Sequence, residues 1–214
     1  MSHVLVVYSG GLDSFTLLNK AAREFDRVSA ITFNYGQKHK KEIQFAKQVC
    51  QKMSIKHEVV DLPLSDLLSG SALVGNLDIP EGNYDKDKMK LTIVPNRNMI
   101  MISIAASMAI RDQSTHLWYA AHAGDHEIYP DCRPEFISKL GDVLKICDYH
   151  EIILEAPFQD FSKAEIVSEG LAMKLDYSQA WTCYEGRSQP CLKCSACLER
   201  ESAFKKNDIK DPII

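Results

Sequence analysis

The chain contains no Gly-Lys-Ser or Gly-Lys-Thr, so it lacks the lysine-bearing phosphate loop of the common NTPases. It also lacks an apolar run long enough to cross a bilayer. The longest, Met99 to Ile110, is interrupted by serines and reads as a buried helix. No block of lysine or arginine stands out and the formal net charge is -4, which argues against a large electrostatic footprint for nucleic acid. There is no internal repeat and no low-complexity tract. No stretch resembles a secretory signal, since Met1 leads directly into an apolar strand pattern. The expectation is a cytoplasmic protein, away from the membrane and with no direct nucleic-acid partner. In that compartment seven cysteines predict thiols and metal ligands rather than disulfides.

What the chain has is a repeated alternation of strand and helix patterns. At 214 residues, 45% hydrophobic and 25% charged, it suits one globular domain that buries a sizeable core. Strands are expected at Val4–Tyr8, Val28–Phe33, His57–Leu62, Thr115–Ala121 and Glu151–Ala156. A helix is expected from about Asp13 to Phe25, with Phe15, Leu18, Ala22 and Phe25 apolar. A second carries Ile43, Ala46, Cys50 and Met53 on one face, and a third runs from about Asn98 to Arg111. Pro134 to Cys147 is a further helix, with Phe136, Leu140, Val143 and Leu144 apolar. Ser162-Lys163-Ala164-Glu165 is a capping box opening another. Residues 63–90 have no clean period and read as a long functional loop or insertion. Repeated βα units predict the α/β class. The sheet is expected to be doubly wound, mostly parallel and Rossmann-like, with ligands beyond the carboxyl ends of its strands. The composition changes after Trp181, so residues 1–180 are expected to form the main domain and 181–214 a small cysteine-bearing segment packed on it.

Ser9-Gly10-Gly11-Leu12-Asp13-Ser14 lies where the first strand turns into the first helix. Unpaired backbone N–H groups and the positive end of the helix dipole make such a turn an anion site. Two glycines let the backbone approach an anion closely, and two serines add hydroxyl donors. A phosphate or pyrophosphate cradle is expected, with a plain serine-capped turn as the alternative. The order Ser-Gly-Gly-x-Asp-Ser resembles the PP-loop of the ATP pyrophosphatases, which cleave ATP between the α and β phosphates. That resemblance implies an adenine nucleotide alpha-hydrolase-like domain.

Three further segments carry chemistry. Cys183, Cys191, Cys194 and Cys197 give C-x7-C-x2-C-x2-C, a spacing that fits a closed tetrahedral site with structural zinc as the default metal. An iron–sulfur cluster is the rival, because C-x2-C-x2-C is also a cluster spacing. Cys50 and Cys147 are expected in apolar helix faces. The stretch His122 to Arg133 holds two histidines, three carboxylates and an arginine at the active edge of the sheet. Such a loop can move protons and bind a carboxylate, and capping of the following helix is its other reading. Arg97, in Val94-Pro95-Asn96-Arg97-Asn98, adds charge at another helix start, where Asn96 or Asn98 can equally act as a cap.

Together these pieces resemble the QueC family, the 7-cyano-7-deazaguanine synthases of the queuosine and 7-deazaguanine pathway. The resemblance rests on the PP-loop, Thr32-Phe-Asn-Tyr-Gly-Gln37, Val94–Asn98, His122-Ala-Gly-Asp-His126, Tyr129-Pro-Asp-Cys-Arg-Pro-Glu-Phe136 and the four cysteines. Departures are Leu12, where the family often has glutamine, Asn96, where it often has glycine, and the tail after Asn207. The resemblance implies a ligase that adenylates 7-carboxy-7-deazaguanine with ATP and Mg2+, forms the amide with free ammonia, and adenylates the amide to reach the nitrile. A related enzyme that stops at the amide, or adenylates another substrate as in tRNA thiolation, is the alternative. It further implies that Tyr8, Ser9, Gly10, Gly11, Leu12, Asp13, Ser14, Phe15, Thr16, Phe33 and Arg97 bind ATP. Asp13, Ser14, Asp125 and His126 are the implied catalytic residues, and His122, Asp125, Asp131 and Arg133 the implied substrate ligands. The four cysteines hold the metal, and the protein is a homodimer. No catalytic role is implied for Cys132.

Overall fold

The computed structural model describes residues 1–64, 70–74, 78–82 and 89–214. Five strands form one sheet: β1 (His3–Val7), β2 (Arg27–Asn34), β3 (Lys56–Asp61), β4 (His116–Trp118) and β5 (Ile153–Glu155). Their order is β3-β2-β1-β4-β5, and each neighbouring pair is parallel. The helices are α1 (Leu12–Glu24), α2 (Lys41–Lys52), α3 (Arg97–Arg111), α4 (Pro134–Ile146), α5 (Lys163–Ala172) and α6 (Ser195–Lys205).

Alternation along the strands divides the core in two. Leu5, Ile31, Phe33, Leu117 and Leu154 face α3 and α4 on one side. Val4, Val6, Ala30 and Trp118 face α1, α2, α5 and α6 on the other. This is the doubly wound α/β arrangement expected. The strand order reverses between β1 and β4, and a crevice opens beyond the carboxyl ends of strands at such a switch point.

Several expected boundaries shift. β4 and β5 are three residues each; Tyr119 N still donates to the Glu155 carbonyl, and Tyr119 to Ala121 line the crevice. On α1 the buried position is Ala21, so Ala22 faces solvent and the apolar stripe is one residue earlier than expected. Val143 is 52% exposed and Cys147 is also exposed, because the buried face of α4 is carried by Ile137, Leu140, Gly141 and Leu144. Asn96 precedes α3 with φ 56° and makes no side-chain cap. It takes the left-handed conformation that glycine adopts freely and that asparagine tolerates better than most residues. Of the expected 63–90 loop, residues 65–69, 75–77 and 83–88 lie outside the described residues. Its described parts are packed: Ala72, Leu73 and Met89 are buried, and Leu73 O accepts from Lys38 N.

Helix α6 was not expected, although Ala196, Cys197, Arg200, Ala203 and Phe204 are buried at helical spacing. An arginine in the middle of the stripe conceals it. Arg200 is 1% exposed and lies edge-on to Asp211, with Nε and Nη2 donating to its two carboxylate oxygens at 2.7 and 2.9 Å. It also donates to the carbonyls of Ala180 and Tyr177. This pair ties the tail to the segment before the cysteines. Truncating one partner strands the other charge in the interior, whereas an apolar pair of similar volume does not. Arg200→Ala is therefore expected to lower unfolding free energy by about 3–5 kcal/mol in urea titration, with the double change Arg200→Met and Asp211→Leu recovering most of the loss.

Candidate active site

The turn after β1 and the segment after β4 form the two sides of a cleft of about 260 Å³ at the switch point. Tyr8, Ser9, Gly11, Leu12, Asp13 and Ser14 line it, together with Phe33 and Arg97. The serine hydroxyls are 3.0 Å apart and accept from the backbone N–H groups of Gly11 and Ser9, which holds the loop open around the start of α1. Gly10 has φ 93°, and a β-carbon there would lie 2.2 Å from the Glu42 carbonyl oxygen. The position therefore requires glycine. Phe15 and Thr16 point elsewhere. Phe15 is core, and Thr16 Oγ1 donates to the Leu12 carbonyl and meets the Tyr177 hydroxyl.

Lys163 lines the same cleft and was read from sequence only as part of a capping box. That box is present, but the lysine serves the cleft. Its Nζ lies 3.2 Å from Asp13 Oδ2 and 2.8 Å from Glu199 Oε2. Burial alone would lower this ammonium's pKa, yet Asp13, Glu199 and Asp125 hold it well above the ordinary lysine range. The available signal was a cation in the first turn of a helix, where the dipole disfavours it.

Glu42 and His39, from the start of α2, are also buried in the cleft wall with Nε2 and Oε2 3.9 Å apart. Burial raises the Glu42 carboxyl to about 8 and lowers His39 to about 4, so both are neutral between those limits. Beside this pair Arg97 donates to the Tyr35 hydroxyl and faces that ring, and the Tyr35 ring meets His39 edge-on. Tyr119 and Tyr129 complete an aromatic wall suited to a flat heterocycle. The buried Tyr119 hydroxyl and Asp13 Oδ1 have no hydrogen-bond partner, leaving polar atoms free for a ligand.

The polar 122–133 loop is divided. Asp125 lines the cleft, and burial raises its pKa. His122 stands behind it, 2% exposed: Nδ1 accepts from Gly124 N, and Nε2 lies 3.6 Å from Asp125 and 3.8 Å from Asp13. His126 does not line the cleft. Asp131 accepts from Asn98 N and so caps α3 from outside. Arg133 departs furthest from its expected place. Its Nε donates to the His126 carbonyl, and it lines a separate groove with Phe136 and Val143. It sits one residue before α4, as that helix's N-cap position. The buried Cys132 thiol has its pKa raised by burial, which leaves it a poor nucleophile.

The four C-terminal cysteines converge. Their sulfur atoms all lie within 4.8 Å of one another, and Cys191 Sγ and Cys197 Sγ are 4.0 Å apart. A tetrahedral ion with bonds of about 2.3 Å requires sulfur separations near 3.8 Å, so the set fits a metal. Cys194 N donates to Cys191 Sγ and Cys191 N to Cys183 Sγ, contacts that stabilise thiolates.

The family described as Queuosine biosynthesis protein QueC matches residues 3–208. The chain belongs to the QueC family. The chain is 48% identical over 211 residues to the 7-cyano-7-deazaguanine synthase of Pseudoalteromonas translucida, covering 98% of this chain and 97% of the relative. It is 49% identical to that of Alteromonas mediterranea, covering 99% and 97%. QueC membership thus assigns the chain to an enzyme family. Two solved structures share the fold at low identity. One is a 4-thiouridine synthetase bound to RNA and ATP (TM-score 0.53, 15% identity, covering 95% of this chain and 53% of that one). The other is a U34-tRNA thiolase from Methanococcus maripaludis with an iron–sulfur cluster (0.52, 19%, covering 97% and 65%). None of the helices among the described residues is long and apolar enough to cross a membrane.

The neutral pair gives this QueC member a defined pH response. Glu42 keeps its proton to about 8 in the fold but only to 4.5 when unfolded, so its contribution to stability is lost as pH rises between those values. His39 acts oppositely, adding stability as pH rises from about 4 to 6.5. The two effects offset one another below pH 6.5 and only Glu42 acts above it. Unfolding free energy is expected to fall by up to about 2 kcal/mol from pH 6.5 to 8. Chemical denaturation of Glu42→Gln is expected to lack that fall.

Proposed function

We propose that this QueC family member converts 7-carboxy-7-deazaguanine to 7-cyano-7-deazaguanine by two successive adenylations. The observation that carries the reading is the single cleft in which a phosphate cradle, a lysine, an arginine and an aromatic wall converge. Carboxylate oxygen is a poor leaving group. Its attack on the α phosphorus of ATP breaks the α–β bridge, releases pyrophosphate and converts that oxygen into part of AMP. Ammonia then adds to the acyl carbon, and AMP leaves with the amide formed. The amide oxygen attacks a second ATP in the same way. Loss of AMP and the nitrogen protons leaves the nitrile.

The N-terminus of α1 and the hydroxyls of Ser9 and Ser14 face the departing pyrophosphate, and Lys163 donates to it. Asp13, with an unpartnered buried oxygen, is the residue fitted to hold magnesium, which neutralises phosphate charge when bound. Arg97 orients the substrate carboxylate against the tyrosine wall. Asp125, backed by His122, is the group placed to accept a proton as nitrogen loses its hydrogens. His126, Asp131 and Arg133 stay outside this scheme as positioning residues of the loop. The same reading makes the cysteine metal a structural zinc and the protein a cytoplasmic homodimer.

Mass spectrometry of the protein with ATP, magnesium, ammonium and 7-carboxy-7-deazaguanine tests the reaction. The nitrile is expected with two AMP per turnover. Amide with one AMP would reassign the enzyme to the first half of the sequence, and absence of AMP would exclude adenylation of this substrate. Combined Asp13→Ala and Ser14→Ala is expected to abolish AMP release with an unchanged circular dichroism spectrum. Lys163→Ala is expected to lower kcat by about a hundredfold. Metal analysis is expected to find one zinc per chain, and iron with visible absorption would support the cluster reading instead.

A further inference from the structure

Glu199 lies two residues after the last metal-fitted cysteine, yet its carboxylate meets the cradle's lysine. Oε2 is 2.8 Å from Lys163 Nζ. Oε1 faces the turn at Gly124, where an added β-carbon would stand 3.4 Å from it. The Lys163 side chain is 10% exposed and that of Glu199 24%, so the pair is screened less than a surface ion pair.

Lys163 needs such a partner. It sits at the first position of α5, where the helix dipole opposes a cation, on a flexible four-carbon stem. Asp13, from α1, approaches its ammonium at 3.2 Å, and Glu199, from α6, at 2.8 Å. An ammonium has three N–H donors. Two face these carboxylates, which leaves one for an anion in the cleft that Lys163 lines. With Asp13 as its sole partner the stem could swing about the α1 carboxylate. With both, the direction of the third donor is fixed. Glu199 is itself held, because the adjacent Arg200 is locked to Ala180, Tyr177 and Asp211 and α6 begins inside the cysteine cluster.

We propose that Glu199 is a positioning residue that aims the Lys163 ammonium into the phosphate cradle, so that the cysteine-bearing segment forms part of the ATP site. This rests on the nucleotide reading above. It assigns the C-terminal segment a part in nucleotide affinity beyond capping the fold.

The test is calorimetric titration of magnesium ATP into the full-length, metal-containing protein and into Glu199→Ala, Glu199→Gln and Glu199→Asp, with KM values for ATP and for 7-carboxy-7-deazaguanine. In Glu199→Ala, Kd and KM for ATP are expected to rise about tenfold, while KM for the deazaguanine stays within about twofold. Glu199→Asp keeps the charge and is expected to recover part of the affinity. Glu199→Gln keeps the size and is expected to recover less. Metal content is expected to match the parent throughout. The isosteric Gln variant carries the test if the Ala variant does not fold. Parent-like ATP affinity in both would overturn the inference while leaving the nucleotide reading intact. Equal rises in both KM values with loss of metal would show a structural role and overturn it as well. A parent protein that binds no ATP would remove the nucleotide reading and this inference with it.

Discussion

The close approach of Gly10 to helix α2 governs the geometry of the site. A β-carbon at residue 10 would sit 2.2 Å from the Glu42 carbonyl and 3.1 Å from Ala46 N. The backbone of α2 therefore touches the phosphate loop directly, with no side chain between. The Gly10 carbonyl in turn accepts from Trp181 N at 3.0 Å. One residue thus joins β1, the start of α2 and the entry to the cysteine segment. Any side chain at this position would push α2 outward and carry Glu42 and His39 from the cleft wall. The loop keeps this shape because glycine lets three pieces of backbone crowd against it.

That crowding sets an electrostatic problem. A cradle for a polyanion is lined by Asp13, Glu42 and Asp125, with Glu199 close behind. Burial resolves part of it: Glu42 is held protonated to about 8, and the Asp125 pKa is also raised. The remaining negative charge is concentrated around Lys163, whose ammonium Asp13 and Glu199 approach at 3.2 and 2.8 Å. Arg97 has Tyr35, Tyr129 and Cys132 as neighbours, and its charge also reaches Glu42 and His39.

The fold was legible because its signals are local. Alternating β and α periods fix a parallel sheet, and a glycine pair between strand and helix marks the tight turn after β1. Cysteine spacing did the same for the metal-fitted cluster. The polar 122–133 loop was legible as a cluster beside the sheet edge, but which of its residues line the cleft was not separable by sequence. His122 faces Asp13 and Asp125 while Arg133 turns to another groove, and that division follows from where α4 begins.

Lys163, Glu42 and Glu199 escaped because each looked ordinary in its own helix. Lys163 and Glu42 sit in first turns, and Glu199 adjoins a buried arginine in a stripe that no hydrophobic count reveals. They meet only because the strand order reverses beside β1, which brings α5, α2 and α6 around one loop. A charge that opposes its helix dipole, as Lys163 does, costs a few tenths of a kcal/mol or more unless a tertiary partner offsets it. Such a residue is evidence of a contact elsewhere in the chain. Here the contact is with Asp13 and Glu199, and through them the first helix and the last helix of the protein act on the same ammonium.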